Sequence, residues 1–126
     1  MINDLTIHAQ FTGVSSTVET IYKLRKADDK ILSGVIALDD ALKLAYIETF
    51  YCRFNCIPIT SILDRASKNQ STGIILFEVC PNDLLSMKNS FVQRLLLSCE
   101  AMHIELLDVI LCSQHDWASL RQQNLI

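Results

Sequence analysis

The chain is poor in residues that break regular structure. It has 3 glycines and 2 prolines among 126 residues, which excludes collagen-like, linker-rich and low-complexity architectures. No stretch is polar enough for long disorder, so the whole chain is expected to be ordered. Apolar runs stop short of the ~20 residues that span a bilayer. The N-terminal window from Ile2 to Phe11 is broken by Asp4, Thr6, His8 and Gln10, unlike a signal peptide. These absences predict a cytoplasmic protein with no membrane partner. Basic residues are outnumbered, with Lys+Arg 11 against Asp+Glu 14 and a net charge of -3. That leaves little for the phosphate contacts that dominate nucleic-acid affinity, so binding to nucleic acid is expected to be weak or none. The longest cationic cluster, Lys23-Leu24-Arg25-Lys26, is followed by Asp28 and Asp29 and reads as a solvated helix end. The five cysteines (Cys52, Cys56, Cys80, Cys99, Cys112) form no Cys-x-x-Cys pair and sit in apolar segments. They read as buried thiols of a reducing compartment and not as a disulfide framework.

With 50% hydrophobic residues, the length suits one domain with one core. Leu5 to Phe11 alternates as a half-buried strand ending at Gly13. Ser16-x-x-Glu19 fits a capping box opening a helix to Ala27-Asp28. Ile31 to Leu38 favours a strand interrupted by Ser33-Gly34. Leu38, Ala41, Leu42, Ala45 and Tyr46 recur at helical spacing, predicting a helix to about Glu48 or Thr49. Tyr51 to Ile57 alternates, predicting a strand with Cys52, Phe54 and Cys56 on one face. Pro58 opens a helix with Ile59, Ile62, Leu63 and Ala66 on one side, closed by Lys68 to Ser71. Gly73 to Val79 reads as a central strand covered on both faces. The next helix, capped by Asn82 or Ser86, carries an apolar stripe of Met87, Phe91, Leu95, Cys99 and Met102, widened by Val92 and Leu96. A strand from Ile104 to Cys112, a turn over Ser113 to Asp116 and a short edge strand from Trp117 to Leu120 complete the pattern. The predicted fold is a single α/β domain, a mixed central sheet with helices on both faces.

From Ile59 onward the order of motifs resembles the RadC-like branch of the JAB/MPN (JAMM) metallopeptidase family. In that branch a buried strand ends in His-x-His-Pro-Ser-Gly, and a helix leads on to a Leu-Leu-Asp-His strand. Here Ile74-Ile75-Leu76-Phe77 resembles the strand, Pro81 the proline and Gln93-Arg94-Leu95 the Arg-Arg-Leu of the helix. His103-Ile104-Glu105-Leu106-Leu107-Asp108 resembles Gly-Ile-x-Leu-Leu-Asp, and Trp117-Ala118-Ser119-Leu120 resembles Tyr-Tyr-Ser-Phe. The N-terminal half offers no counterpart of the family's Leu-Asp-x-x-x-Arg-Val hairpin. The resemblance implies a JAB/MPN-like, cytidine-deaminase-like architecture. It also implies a zinc site whose ligands have changed: Glu78 and Cys80 stand for the two histidines, Lys88 or Asn89 for the aspartate, Asn82-Asp83 for Ser-Gly, and Val109 for the histidine after Leu-Leu-Asp.

The expected function is therefore a catalytically degenerate domain, more a protein-interaction or scaffold module than an enzyme, with a protein partner or homo-oligomer and no cofactor. The alternative is a hydrolase with an altered site. Glu78, Cys80 and Asp83 are the candidate metal ligands, because thiolate and carboxylate both serve zinc. Glu78, Cys80 and His103 are the candidate catalytic residues, with His103 or His115 as base to a Cys80 thiolate. A DNA-repair or mobile-element accessory role is a third possibility that the resemblance suggests. Cys52, Cys56 and His8 read as structural or surface residues.

Overall fold

The computed structural model describes residues 13–25, 30–53, 56–80 and 89–126. Three helices and five strands follow in the order α1 (Val14–Leu24), β1 (Leu32–Leu38), β2 (Leu44–Phe50), α2 (Ile59–Lys68), β3 (Gly73–Val79), α3 (Asn89–Ala101), β4 (Glu105–Cys112) and β5 (Trp117–Ser119). The strands form one mixed sheet in the order β2-β1-β3-β4-β5. β1 is antiparallel to both β2 and β3, β3 is parallel to β4, and β5 is antiparallel to β4. A parallel pair needs a crossover connection, and α3 lies in the one that joins β3 to β4.

β3 is buried along its whole length, and its alternation divides the core. Ile74 and Leu76 join α2 (Ile62, Leu63, Ala66) and α3 (Val92, Leu95, Cys99) on one face. Ile75, Phe77 and Val79 join α1 (Val18, Ile21, Leu24) on the other. The sheet is thus mixed with helices on both faces, as the sequence predicts. Gly34 lies directly opposite Phe77 in the β1–β3 pair. A Cβ at position 34 would sit 2.5 Å from the Glu48 carbonyl oxygen and 2.6 Å from Phe77 Cζ, so only glycine lets the ring lie across β1.

Several expectations from the sequence need correction. The helix predicted from Leu38 to Glu48 is instead the turn and second strand of a hairpin. The Asp39 carboxylate accepts from the backbone N–H of Ala41 (2.9 Å) and Lys43 (3.0 Å), and Leu42 takes φ 61. An aspartate that binds amides two residues on competes with helix formation, and pairing along β1 completes the reversal. β1 and β2 thus form an antiparallel hairpin that turns at Asp39–Lys43. Where a strand is predicted from Tyr51 to Ile57, the chain bends at Tyr51 and Cys52 instead of continuing β2, and Ser33 Oγ donates to Cys52 O at 2.7 Å. Phe54 lies outside the described residues. The capping box at Ser16 does not form. Gly13 is the N-cap with no side-chain cap bond, Ser16 Oγ donates back to Gly13 O at 2.9 Å, and Glu19 pairs with Lys23 at 3.6 Å. α1 ends at Leu24, because Arg25 is extended (φ -74, ψ 122). The strand predicted at Leu5–Phe11, the caps Asn82 and Ser86, and Met87 lie outside the described residues.

On α3 the buried seam is Val92, Leu95 and Cys99. Phe91 and Leu96 are half-buried against it, while Met102 is 37% exposed and drops out of the stripe; Leu97, on the outer side, is 65% exposed. Leu95, 2% exposed, faces β3 and β4. Leu95→Ala is expected to cost ~2–5 kcal/mol in denaturant unfolding, whereas Leu97→Ala stays within ~0.5 kcal/mol.

Candidate functional site

Strand alternation places Glu78 on the α2/α3 face of the sheet, next to the end of β3, where it is 6% exposed. A carboxylate taken out of water there needs a counter-charge or strong donors. Arg53 supplies one, with its Nε 2.9 Å from Glu78 Oε2. Local structure explains how the arginine arrives. Ser33 lies opposite Glu78 in the β1–β3 register, its hydroxyl holds Cys52 O, and the Arg53 carbonyl accepts from Cys56 N at 2.9 Å. The bend that leaves β2 is thereby pinned over the end of β3 and presents the next side chain to the carboxylate. Glu78 is the one charged side chain buried among the described residues.

Cys80 follows one residue beyond β3. It is buried, and its backbone N–H donates to Cys112 O at 2.9 Å, continuing the β3–β4 pairing. Asp83, the third candidate ligand, and Lys88 lie outside the described residues, as does Pro81. Asn89 opens α3. His103, the candidate base, is not brought to this site. It is exposed in the turn before β4, and β4 begins opposite Gly73, at the far end of β3. A strand of 7 residues puts about 20 Å between those ends. His103 is instead a backbone device: at φ 56 it takes the left-handed conformation that glycine adopts most easily. His115 is exposed in the Ser113–Asp116 turn, at the same end of the sheet as Cys80. Val109 is fully buried core. Among the described residues, no three of His, Cys, Asp and Glu are grouped to hold a metal ion.

The thiols differ by setting. Burial pushes the Cys99 thiol up to about 11 and the Cys112 thiol up to about 12, the latter despite a hydrogen bond from Tyr22 and the nearby Arg25 charge, which both favour the thiolate. Cys56 is exposed and Cys52 half-buried. Tyr22 Oη reaches Ser113 O at 3.0 Å and Asp116 O at 3.1 Å, which fastens the last turn of α1 to the β4–β5 turn above Cys112.

A second polar centre escaped attention in the sequence beyond its place in the Leu-Leu-Asp motif. Asp108 Oδ2 accepts from Ser119 Oγ at 2.5 Å, and Oδ1 accepts from Val109 N (2.7 Å) and Arg121 N (3.1 Å). The Arg121 guanidinium donates to Leu106 O at 2.9 Å and to Leu107 O. β5 pairs only with Ile110, Leu111 and Cys112, so these bonds engage carbonyls of β4 beyond the reach of β5. Asp108 and Arg121 also border a cavity of about 450 Å³ beneath the N-terminus of α1, floored by Leu38, Ile75, Leu107 and Ile110. Only the fold brings these residues together. Neither a protein-family model nor a curated protein sequence matches the chain.

The thiols give a pH dependence with a definite sign. Cys99 and Cys112 titrate near 9.0 when unperturbed and higher in the fold, so the unfolded chain loses these protons first as pH rises. Stability is fully present below about 9 and falls as pH climbs through the folded values near 11 and 12, since the unfolded state then binds fewer protons. Urea midpoints are expected to decline from pH 9 upward, and Cys99→Ala with Cys112→Ala should flatten that decline.

Proposed function

We propose that the chain is a RadC-like JAB/MPN-type domain stripped of its metal ligands that works as a protein-interaction or scaffold module. The observation that carries this is the Arg53–Glu78 ion pair. The position that corresponds to the first histidine of the family site is a carboxylate already engaged by a guanidinium, and a fixed positive charge there opposes a bound cation. Three further observations support the family part. From Ile59 onward, helix, buried strand, helix, strand and short strand occur in the order the family motifs require. His103 takes a glycine-like φ of 56 at the family's glycine position. Asp108 and Ser119, which stand in two separate motifs, are joined by a hydrogen bond of 2.5 Å, a physical reason for both to persist without catalysis.

The interaction part draws on β2, an edge strand of 7 residues that pairs on one side only among the described residues. It contains no proline and no basic residue, the common devices that blunt an exposed edge. The backbone groups along its outer side, which no described strand pairs, suit strand addition by a protein partner. No helix among the described residues is long and apolar enough to cross a membrane, which agrees with a partner met off the bilayer. Zinc content tests the proposal. Protein purified without a metal-affinity step is expected to hold well under one zinc per chain. About one zinc per chain, lost on Cys80→Ala, would favour a metal-dependent hydrolase instead.

A further inference from the structure

We propose that the outer edge of β2 is a dimer interface, on which β2 of a second copy pairs antiparallel about a two-fold axis at Ile47 and joins two five-stranded sheets into one. The proposal rests on the interaction reading given above and names its partner as the chain itself. β2 stands at the end of the sheet order, with no strand on its outer side among the described residues. Of the large apolar side chains left exposed among those residues, Leu42 (39%) and Tyr51 (67%) lie just before and just after this strand. Antiparallel pairing about Ile47 sets Tyr51 of one copy beside the Leu42–Lys43 corner of the other, and the two-fold axis repeats the contact. Two apolar groups at opposite ends of the strand in one molecule thus become neighbours in a pair.

The strand complements itself in that register and not in the neighbouring ones. Its one charged residue is Glu48, whose carboxylate pairs with Arg65 Nη1 of α2 at 3.0 Å. The same guanidinium lies 4.2 Å from the centroid of the Tyr46 ring. Directly opposed residues of antiparallel strands share a face. A pivot at Ile47 therefore sets Glu48 of each copy opposite Tyr46 of the other, next to the Arg65 charge stacked on that ring. Two carboxylates and two guanidiniums then alternate around the axis. Both side chains have room to respond, Glu48 being 32% and Arg65 45% exposed. A pivot at Glu48 would oppose like charges, which is destabilising. A pivot at Tyr46 would set Ile47 against Ala45, the residue left out of register by the bulge between Ala37 and Leu38. That bulge lies near the turn and leaves Tyr46 to Phe50 in unbroken pairing with β1. One strand edge with its flanking side chains is a small interface, so the association is weak and reversible.

Sedimentation velocity of the full chain from micromolar to submillimolar concentration is the test, with amide exchange followed at both ends of the range. A reversible monomer–dimer equilibrium is expected, with exchange slowed by association along Tyr46 to Phe50 and unchanged in β5. Glu48→Arg is expected to weaken dimerisation by about tenfold or more, and adding Arg65→Glu to restore most of it, because like and then opposite charges meet across the axis. Thr49→Lys, at an exposed position, is expected to weaken it as well, since lysine guards strand edges. Circular dichroism checks that each variant keeps the fold. A chain that stays monomeric across the range, a dimer indifferent to Glu48→Arg and Thr49→Lys, or slowed exchange elsewhere than β2 overturns the proposal. The loss of metal ligands is tested separately by zinc content, so the two readings fail independently.

Discussion

A central strand buried on both faces sets the terms for the rest of this molecule. Every residue of β3 is buried, so the sheet needs a helical layer on each side, and its two registers must place apolar side chains alternately into both. β1 supplies one neighbour and accommodates Phe77 with Gly34. β4 supplies the other in parallel, which obliges the chain to cross over between them. A carboxylate at the end of such a strand is out of water on the same account, and the Arg53 bend follows as its compensation. The charge at Glu78 and the departure of the chain from β2 are one structural event.

How far this was legible in the sequence depends on whether the deciding interactions were local. α2, β3, β4 and β5 were readable because each has a periodicity that its final neighbours reinforce, as at Ile62, Leu63 and Ala66 of α2. Leu38 to Tyr46 was misread because its apolar spacing satisfies a helix, whereas one Asp39 carboxylate and the pairing demands of β1 favour a turn. Tyr51 to Ile57 alternates in sequence, yet the chain bends at Tyr51 and Cys52, where a serine nineteen residues earlier binds Cys52 O. At the site, the burial of Cys80 followed from its place at the end of an apolar strand, whereas that of Glu78 did not, since a carboxylate at a strand end is ordinarily solvated. Arg53 as partner did not, since no local pattern pairs residues twenty-five apart. The distance of His103 from Cys80 emerged only from the parallel register of β3 and β4.

Two polar centres divide the sheet between its ends. Glu78 with Arg53 closes the end at which the family resemblance places chemistry, and Asp108 with Ser119 and Arg121 closes the other. Both use side chains to satisfy groups that would otherwise be buried or left on an unpaired edge.

The central claim is that Glu78 serves as half of a structural ion pair. A double-mutant cycle of Arg53→Ala and Glu78→Gln, read by denaturant unfolding, tests it most directly. Since Arg53 is 40% exposed on its side chain, solvent screening moderates the pair, and a favourable coupling of about 1 kcal/mol is predicted. A coupling below ~0.3 kcal/mol, within the scatter of independent sites, would contradict the account and leave the Glu78 carboxylate without the role assigned to it.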